Sequence, residues 1–136
     1  MESNPTWMAV VALALRDDAG RLLLQRRPSH KHHGGLWEFP GGKVETKETP
    51  RLALVREIAE ELGIAIEASS LSPLLVADEG VGGRVVLFLY SATCWSGPIV
   101  PHEGQEWGWF AAREAAALDL APMDRDLLAR MSTSPR

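Results

Sequence analysis

The segment Thr49 to Gly63, TPRLALVREIAEELG, constrains the fold of this chain more than any other stretch. At roughly 100° of rotation per residue, Glu57, Glu60 and Glu61 share one face, while Leu52, Val55, Ile58, Ala59 and Leu62 fall on the opposite one. Thr49 suits an N-cap and Pro50 a first helical position, and Gly63 suits the left-handed residue past the end. These signals predict an amphipathic helix over 50–62 with an acidic cluster on its solvent face.

Three glutamates on a helix usually form a solvated surface. Here they stand at i, i+3 and i+4, and like charges so spaced cost roughly 0.2 to 0.5 kcal/mol per pair in an isolated helix. A hard divalent cation removes that cost, because Mg²⁺ prefers carboxylate oxygens and retains waters and substrate phosphates around it. The cluster therefore reads as a metal platform.

From Gly42 the sequence follows the pattern G-x5-E-x7-R-E-I-x-E-E-x-G-I, with Gly42, Glu48, Arg56, Glu57, Ile58, Glu60, Glu61, Gly63 and Ile64 all in place. This resembles the Nudix box, the signature of hydrolases acting on a nucleoside diphosphate linked to another moiety. The lead-in Gly35-Leu36-Trp37-Glu38-Phe39-Pro40-Gly41-Gly42 is similar to that of the MutT-type nucleoside triphosphate pyrophosphohydrolases, and the likeness covers nearly the whole chain. No proline or tyrosine follows the box near Val81, the nearest being Pro73 and Tyr90, which disfavours ADP-ribose, coenzyme A and dinucleoside polyphosphates as substrates.

At 136 residues and 46% hydrophobic, the chain has enough apolar material for one core. No Pro/Gly/Ser linker or repeat divides it. We therefore expect a single Nudix hydrolase domain over 1–136, with its box at 42–64. The net charge of −4 gives no nucleic-acid footprint, so free nucleoside triphosphates fit better than polymers. The run Met8 to Leu15 is too short to span a membrane, and the N-terminus lacks a basic leader. The lone Cys94 lies in an apolar strand pattern and reads as a small buried hydrophobe. A monomeric cytoplasmic protein is the expectation.

Local patterns predict strands at 7–15, 21–27, 37–39, 42–44, 74–77, 84–95 and 107–110, with further helix at 112–117 and 123–131. Asp17-Asp18-Ala19-Gly20 reads as the turn of a hairpin joining the first two strands. The resemblance implies an α/β class, specifically a Nudix-type α/β/α sandwich with a central mixed sheet. Alternation puts Trp107 and Trp109 on one strand face, where core packing is the favoured reading. Trp37 reads either as core or as lining for a base pocket.

The resemblance also assigns site residues. Glu57, Glu60, Glu61 and Glu103 are expected metal ligands, with the Gly41 carbonyl as a further one and Glu57 as a possible base. Mg²⁺ is the implied cofactor, with Mn²⁺ as a substitute. Glu48 and Arg56 are expected to pair and brace the loop, so Arg56 belongs to the catalytic set indirectly. Arg27, His32, Trp37, Phe39, Arg84 and Asp124 are candidate substrate contacts. His30, His32 and His33 crowd one loop, but without a nearby cysteine they read as a polar loop and not as a zinc site.

Asp124 occupies the position where MutT-type enzymes carry a base-reading asparagine. It reads as an N-cap of the last helix, as a base contact, or as both. An ionised carboxylate, favoured by the helix dipole, accepts hydrogen bonds and donates none. That would suit guanine or cytosine better than 8-oxoguanine. The implied activity is Mg²⁺-dependent cleavage of nucleoside triphosphates to monophosphate and pyrophosphate, with 8-oxo-dGTP or a related purine favoured. The alternatives are a CTP or modified-dCTP pyrophosphohydrolase and a catalytically silent nucleotide-binding module.

Overall fold

A computed structural model describes residues 7–31 and 34–133. Strand β1, Met8–Leu15, is its organising element: it runs parallel to β6, Val85–Ala92, and antiparallel to β4, Gly41–Lys43. Strand β5, Ser72–Asp78, pairs antiparallel with β6 and closes a four-stranded mixed sheet in the order β4-β1-β6-β5. A second, antiparallel sheet has the order β3-β2-β7, from Trp37–Glu38, Leu22–Arg26 and Glu106–Phe110.

The alternation of side chains along β1 separates two cores. Val11, Leu13 and Leu15 pack with Ala53, Leu54, Ile58 and Leu62 of helix α1, Pro50–Leu62, and with Trp107 and Trp109 at the edge of that cluster. Ala12 and Ala14 face the other way, toward Leu22, Leu24 and Leu89. The same core takes in Ala115 of α2, Ala112–Ala116, and Leu127 and Leu128 of α3, Pro122–Thr133. Helices thus cover both sides of the mixed strand layer, as an α/β/α sandwich requires. No described helix is long and apolar enough to cross a membrane.

Three local expectations are corrected. Asp17 to Gly20 does form a turn, with Asp17 Oδ1 accepting from the Ala19 and Arg21 amides, but β1 and β2 share only the bridge Arg16–Leu22 and then enter different sheets. Both edges of β1 are already taken by β4 and β6, so a hairpin partner has no edge to join. Strand β6 stops at Ala92, where its pairing with Leu15 of β1 ends. Cys94 consequently lies outside the sheet and is exposed, not buried.

Candidate active site

Helix α1 has the bounds its caps imply. Thr49 is extended and its side chain accepts from the Leu52 amide at 3.4 Å. Gly63 has φ of 71° and donates to Ala59 O at 3.0 Å. The division into faces is different from the one expected. Leu52 is 56% exposed, whereas Glu61 is only 8% exposed and points inward. Position 61 follows Ile58 and precedes Leu62 on the buried flank, and a carboxylate is tolerated there because it is met by donors. The Gly41 amide and Gln25 Nε2 each donate to Glu61 Oε1 at 3.2 Å.

Gly41 and Gly42 let β4 approach this helix and β1. A Cβ on Gly41 would overlap the backbone carbonyl of Val11, and one on Gly42 would overlap the Glu57 carboxylate. The loop after β4 is held by Arg56, whose Nε and Nη2 donate to the two Glu48 oxygens at 2.7 and 2.9 Å. This is the brace expected from the sequence. It also reaches further, from Nη1 to Glu57 at 3.1 Å and Glu60 at 3.3 Å, and from Nη2 to Lys43 O at 3.1 Å. The Arg56 hydrogen bonds hold the Glu48 carboxyl down at about 2.

Glu103 arrives from the far side of the chain on a loop fastened to the last turn of α1. Val100 N donates to Leu62 O, His102 N to Glu61 O, and His102 Nδ1 to Glu60 O, at 2.9, 2.9 and 3.1 Å. Gln105 Nε2 adds a bond to Glu61 O at 3.0 Å. Helix carbonyls that end without intrahelical partners thus anchor the loop. Glu103 and Glu61 line one cleft with Gln25, Glu38 and Gln105, and with Arg27 and Lys31 as its basic side.

The electrostatics follow from this crowding. Burial pushes the Glu61 carboxyl up to about 8, with the charges of Glu57 and Glu103 adding to the effect. Burial also raises Glu57, against the pull of Arg56 and with help from Glu60 and Glu103. Among the described residues no three carboxylate, imidazole or thiol groups converge into a ready-made metal cage. Arg56 engages Glu57 and Glu60, and the inner donors engage Glu61. The donor chemistry still fits a hard cation, which takes few protein carboxylates when phosphates and waters complete its shell, and which relieves the repulsion that raises these groups.

The remaining candidates are dispersed. Arg27 lines the cleft, 3.2 Å from Glu38. His32 lies outside the described residues. Trp37 packs edge-to-face on Phe110, with centroids 5.2 Å apart, and Phe39 is 3% exposed in the same core. Arg84 sits beside Met8 at the other end of β6, in a shallow depression with Val44 and Glu45, away from the cleft.

Asp124 is the third residue of α3 and not its N-cap, because Pro122 opens the helix. It is 6% exposed. Burial first, and then the nearby Glu38 charge, push its carboxyl up to about 8 against a hydrogen bond from the Phe39 amide. The ionised state expected from the helix dipole is overridden by desolvation. Sequence reading missed Gln25, Lys31, Glu38 and Gln105. For Gln25 the sequence shows only that an amide ends the apolar run Leu22-Leu23-Leu24.

The NUDIX domain model matches residues 5–131. The chain belongs to the Nudix family. It is 40% identical over 122 residues to the CTP pyrophosphohydrolase of Escherichia coli (strain K12), covering 89% of each chain. It is 35% identical over 95 residues to the 8-oxo-dGTP diphosphatase of Proteus vulgaris, covering 70% of this chain and 84% of that one. The crystal structure of the MutT NUDIX hydrolase from Burkholderia pseudomallei superposes with a TM-score of 0.78 at 33% identity, over 93% of this chain and 98% of that one. The MutT-type likeness read from the box and its lead-in is therefore borne out, and Nudix hydrolases generally depend on a divalent metal.

Proposed function

We propose that the chain hydrolyses nucleoside triphosphates to monophosphate and pyrophosphate with Mg²⁺, acting on 8-oxo-dGTP or a related purine nucleotide. A nucleotide pyrophosphohydrolase is what its family and relatives make it; the metal, the base and the residue roles are our reading. The observation that carries it is the cleft in which the Glu61 and Glu103 carboxylates, with Glu57 close enough to perturb Glu61, face Arg27 and Lys31.

Arg27 and Lys31 are placed to attract and orient the phosphate chain by charge. Glu57, Glu60, Glu61, Glu103 and the Gly41 carbonyl would hold the cation, which when bound draws charge from phosphate oxygens and acidifies a bound water. Glu57, raised by burial and with its side chain 16% exposed, is the residue best suited to take a proton from an attacking water. Free nucleotides as substrates, a monomeric state and a cytoplasmic setting complete the reading.

Asp124 supports the oxidised-purine choice. Below about pH 8 its carboxyl is largely protonated, so it both donates and accepts, as asparagine does and as the N7-H and O6 edge of 8-oxoguanine requires. A second reading, CTP or a modified dCTP, is favoured by the 40% identity to the Escherichia coli CTP enzyme. A panel of 8-oxo-dGTP, dGTP, CTP and 5-methyl-dCTP, assayed for pyrophosphate release in Mg²⁺, separates the two. Pyrophosphate with the highest kcat/KM on 8-oxo-dGTP is expected; a maximum on a cytosine nucleotide selects the second reading, and orthophosphate as the product rejects both.

A further inference from the structure

Two buried amides sit among the carboxylates of the cleft. Gln25 is 4% exposed and Gln105 is 7% exposed. Burying an amide is costly unless its donors and acceptor are met. Both amides are fully used. The Glu103 amide donates to Gln105 Oε1 at 2.9 Å. Gln105 Nε2 donates to Gln25 Oε1 at 3.3 Å and to Glu61 O at 3.0 Å. Gln25 Nε2 then donates to Glu61 Oε1 at 3.2 Å and reaches Glu38 Oε2 at 3.5 Å.

The chain of bonds has one direction. Turning either amide over would set donor against donor or oxygen against oxygen at each end. It connects three elements distant in sequence: β2, the last turn of α1 and the loop bearing Glu103. Its ends are the backbone of Glu103 and the carboxylate of Glu61, two of the three acidic residues that line the cleft.

We propose that Gln105 and Gln25 are positioning residues, a buried amide relay that fixes the spacing of Glu61 and Glu103 and thereby the affinity of the site for its divalent cation. The inference rests on the reading of these carboxylates as metal-holding groups. Neither glutamine touches the nucleotide in this scheme; they act through the groups they hold. Groups that orient metal-binding side chains typically change metal affinity by roughly 10- to 100-fold when removed.

The test replaces each amide by a thioether of similar length, Gln105→Met and Gln25→Met, and measures Mn²⁺ binding by electron paramagnetic resonance, separately from turnover. Each folded variant should bind Mn²⁺ roughly 10-fold more weakly and need about that much more Mg²⁺ for half-maximal rate, while nucleotide KM at saturating metal stays within about twofold. A merely structural role would lower the melting temperature and leave the metal midpoint in place. Folded variants that both bind Mn²⁺ like the parent protein would overturn the proposal.

A second measurement uses the unaltered protein, whose side-chain amides belong to Gln25, Gln105 and Asn4 alone. In a ¹⁵N-¹H spectrum the assigned NH₂ signals of both glutamines should move on Mg²⁺ addition. If the Met variants do not fold, unmoved glutamine signals at a Mg²⁺ level that supports turnover reject the relay. A parent protein that turns over substrate without binding Mn²⁺ or Mg²⁺ rejects the metal reading itself, and the relay with it.

Discussion

Gly42 owes its place to the Glu57 side chain. A methyl group there would collide with the end of a flexible carboxylate and not with backbone, so Gly42→Ala should fold with a melting temperature within a few degrees of the parent and yet displace Glu57. We expect kcat to fall by about 10²-fold or more, in the range lost when a proton-transfer group is misplaced, and a circular dichroism melt beside a pyrophosphate assay checks both halves. Glu57→Gln should lose roughly 10²- to 10⁴-fold in kcat with the fold intact; near-parental turnover at saturating Mg²⁺ would remove Glu57 from the chemistry. Asp124 carries the pH prediction. Its folded-state pKa of about 8 lies above its ordinary 3.8, so between those values the folded protein keeps a proton that the unfolded chain releases. Stability from this group is present at low pH and is lost as pH rises through the window. Asp124→Asn should abolish that loss, with a melting temperature exceeding the parent's by about 4 °C or more near pH 8, equivalent to at least ~1 kcal/mol, and the gap closing toward pH 4.

At the scale of elements, the C-terminal turn of α1 is both a helix end and the mooring of the Glu103 loop. Gly63 stands where the two meet: its φ is +71°, and a Cβ would come within 2.9 Å of the His102 ring. Gly63→Ala should therefore cost about 1–2 kcal/mol from the left-handed backbone alone and loosen the loop, read as a lower melting temperature and a raised Mg²⁺ requirement together. The bounds of α1 were legible in the sequence because caps are local: Thr49, Pro50 and Gly63 each act on their own backbone. The direction of Glu61 was not. An i, i+3, i+4 spacing fixes angles around a helix axis but not where the buried arc ends, and that depended on donors from Gly41 and Gln25, distant in the chain. Asp124 was misread at a finer grain. The last helix was expected over 123–131 with Asp124 as a candidate cap, whereas α3 opens one residue earlier at Pro122, as the preference of proline for the first helical turn allows.

Across the whole molecule, the partners of each strand were the least legible feature, since alternation tells which side chains are buried but not which edges meet. The apolar runs at Met8–Leu15 and Leu22–Arg26 were visible, whereas their assignment to separate sheets was set by the competition of β4 and β6 for β1. As β1 feeds both cores, Leu13→Ala should be among the most damaging apolar truncations, costing roughly 2–5 kcal/mol, measurable by urea denaturation. Of the residues lining the cleft, Arg27, Glu61 and Glu103 were singled out through the resemblance, whereas the two amides, Lys31 and Glu38 escaped because they come from outside the box and no local pattern marks them. One feature of that motif bears on how the protein lives between turnovers. Arg56 stands within 4 Å of Glu45, Glu48, Glu57 and Glu60, so the fold brings its own internal counter-ion for an acidic patch that would otherwise repel itself. Chelation should then silence pyrophosphate release while leaving the melting temperature lower only by what mass action removes. The amount of folded protein would be indifferent to the supply of free divalent cation, and its throughput would follow that supply like a dimmer.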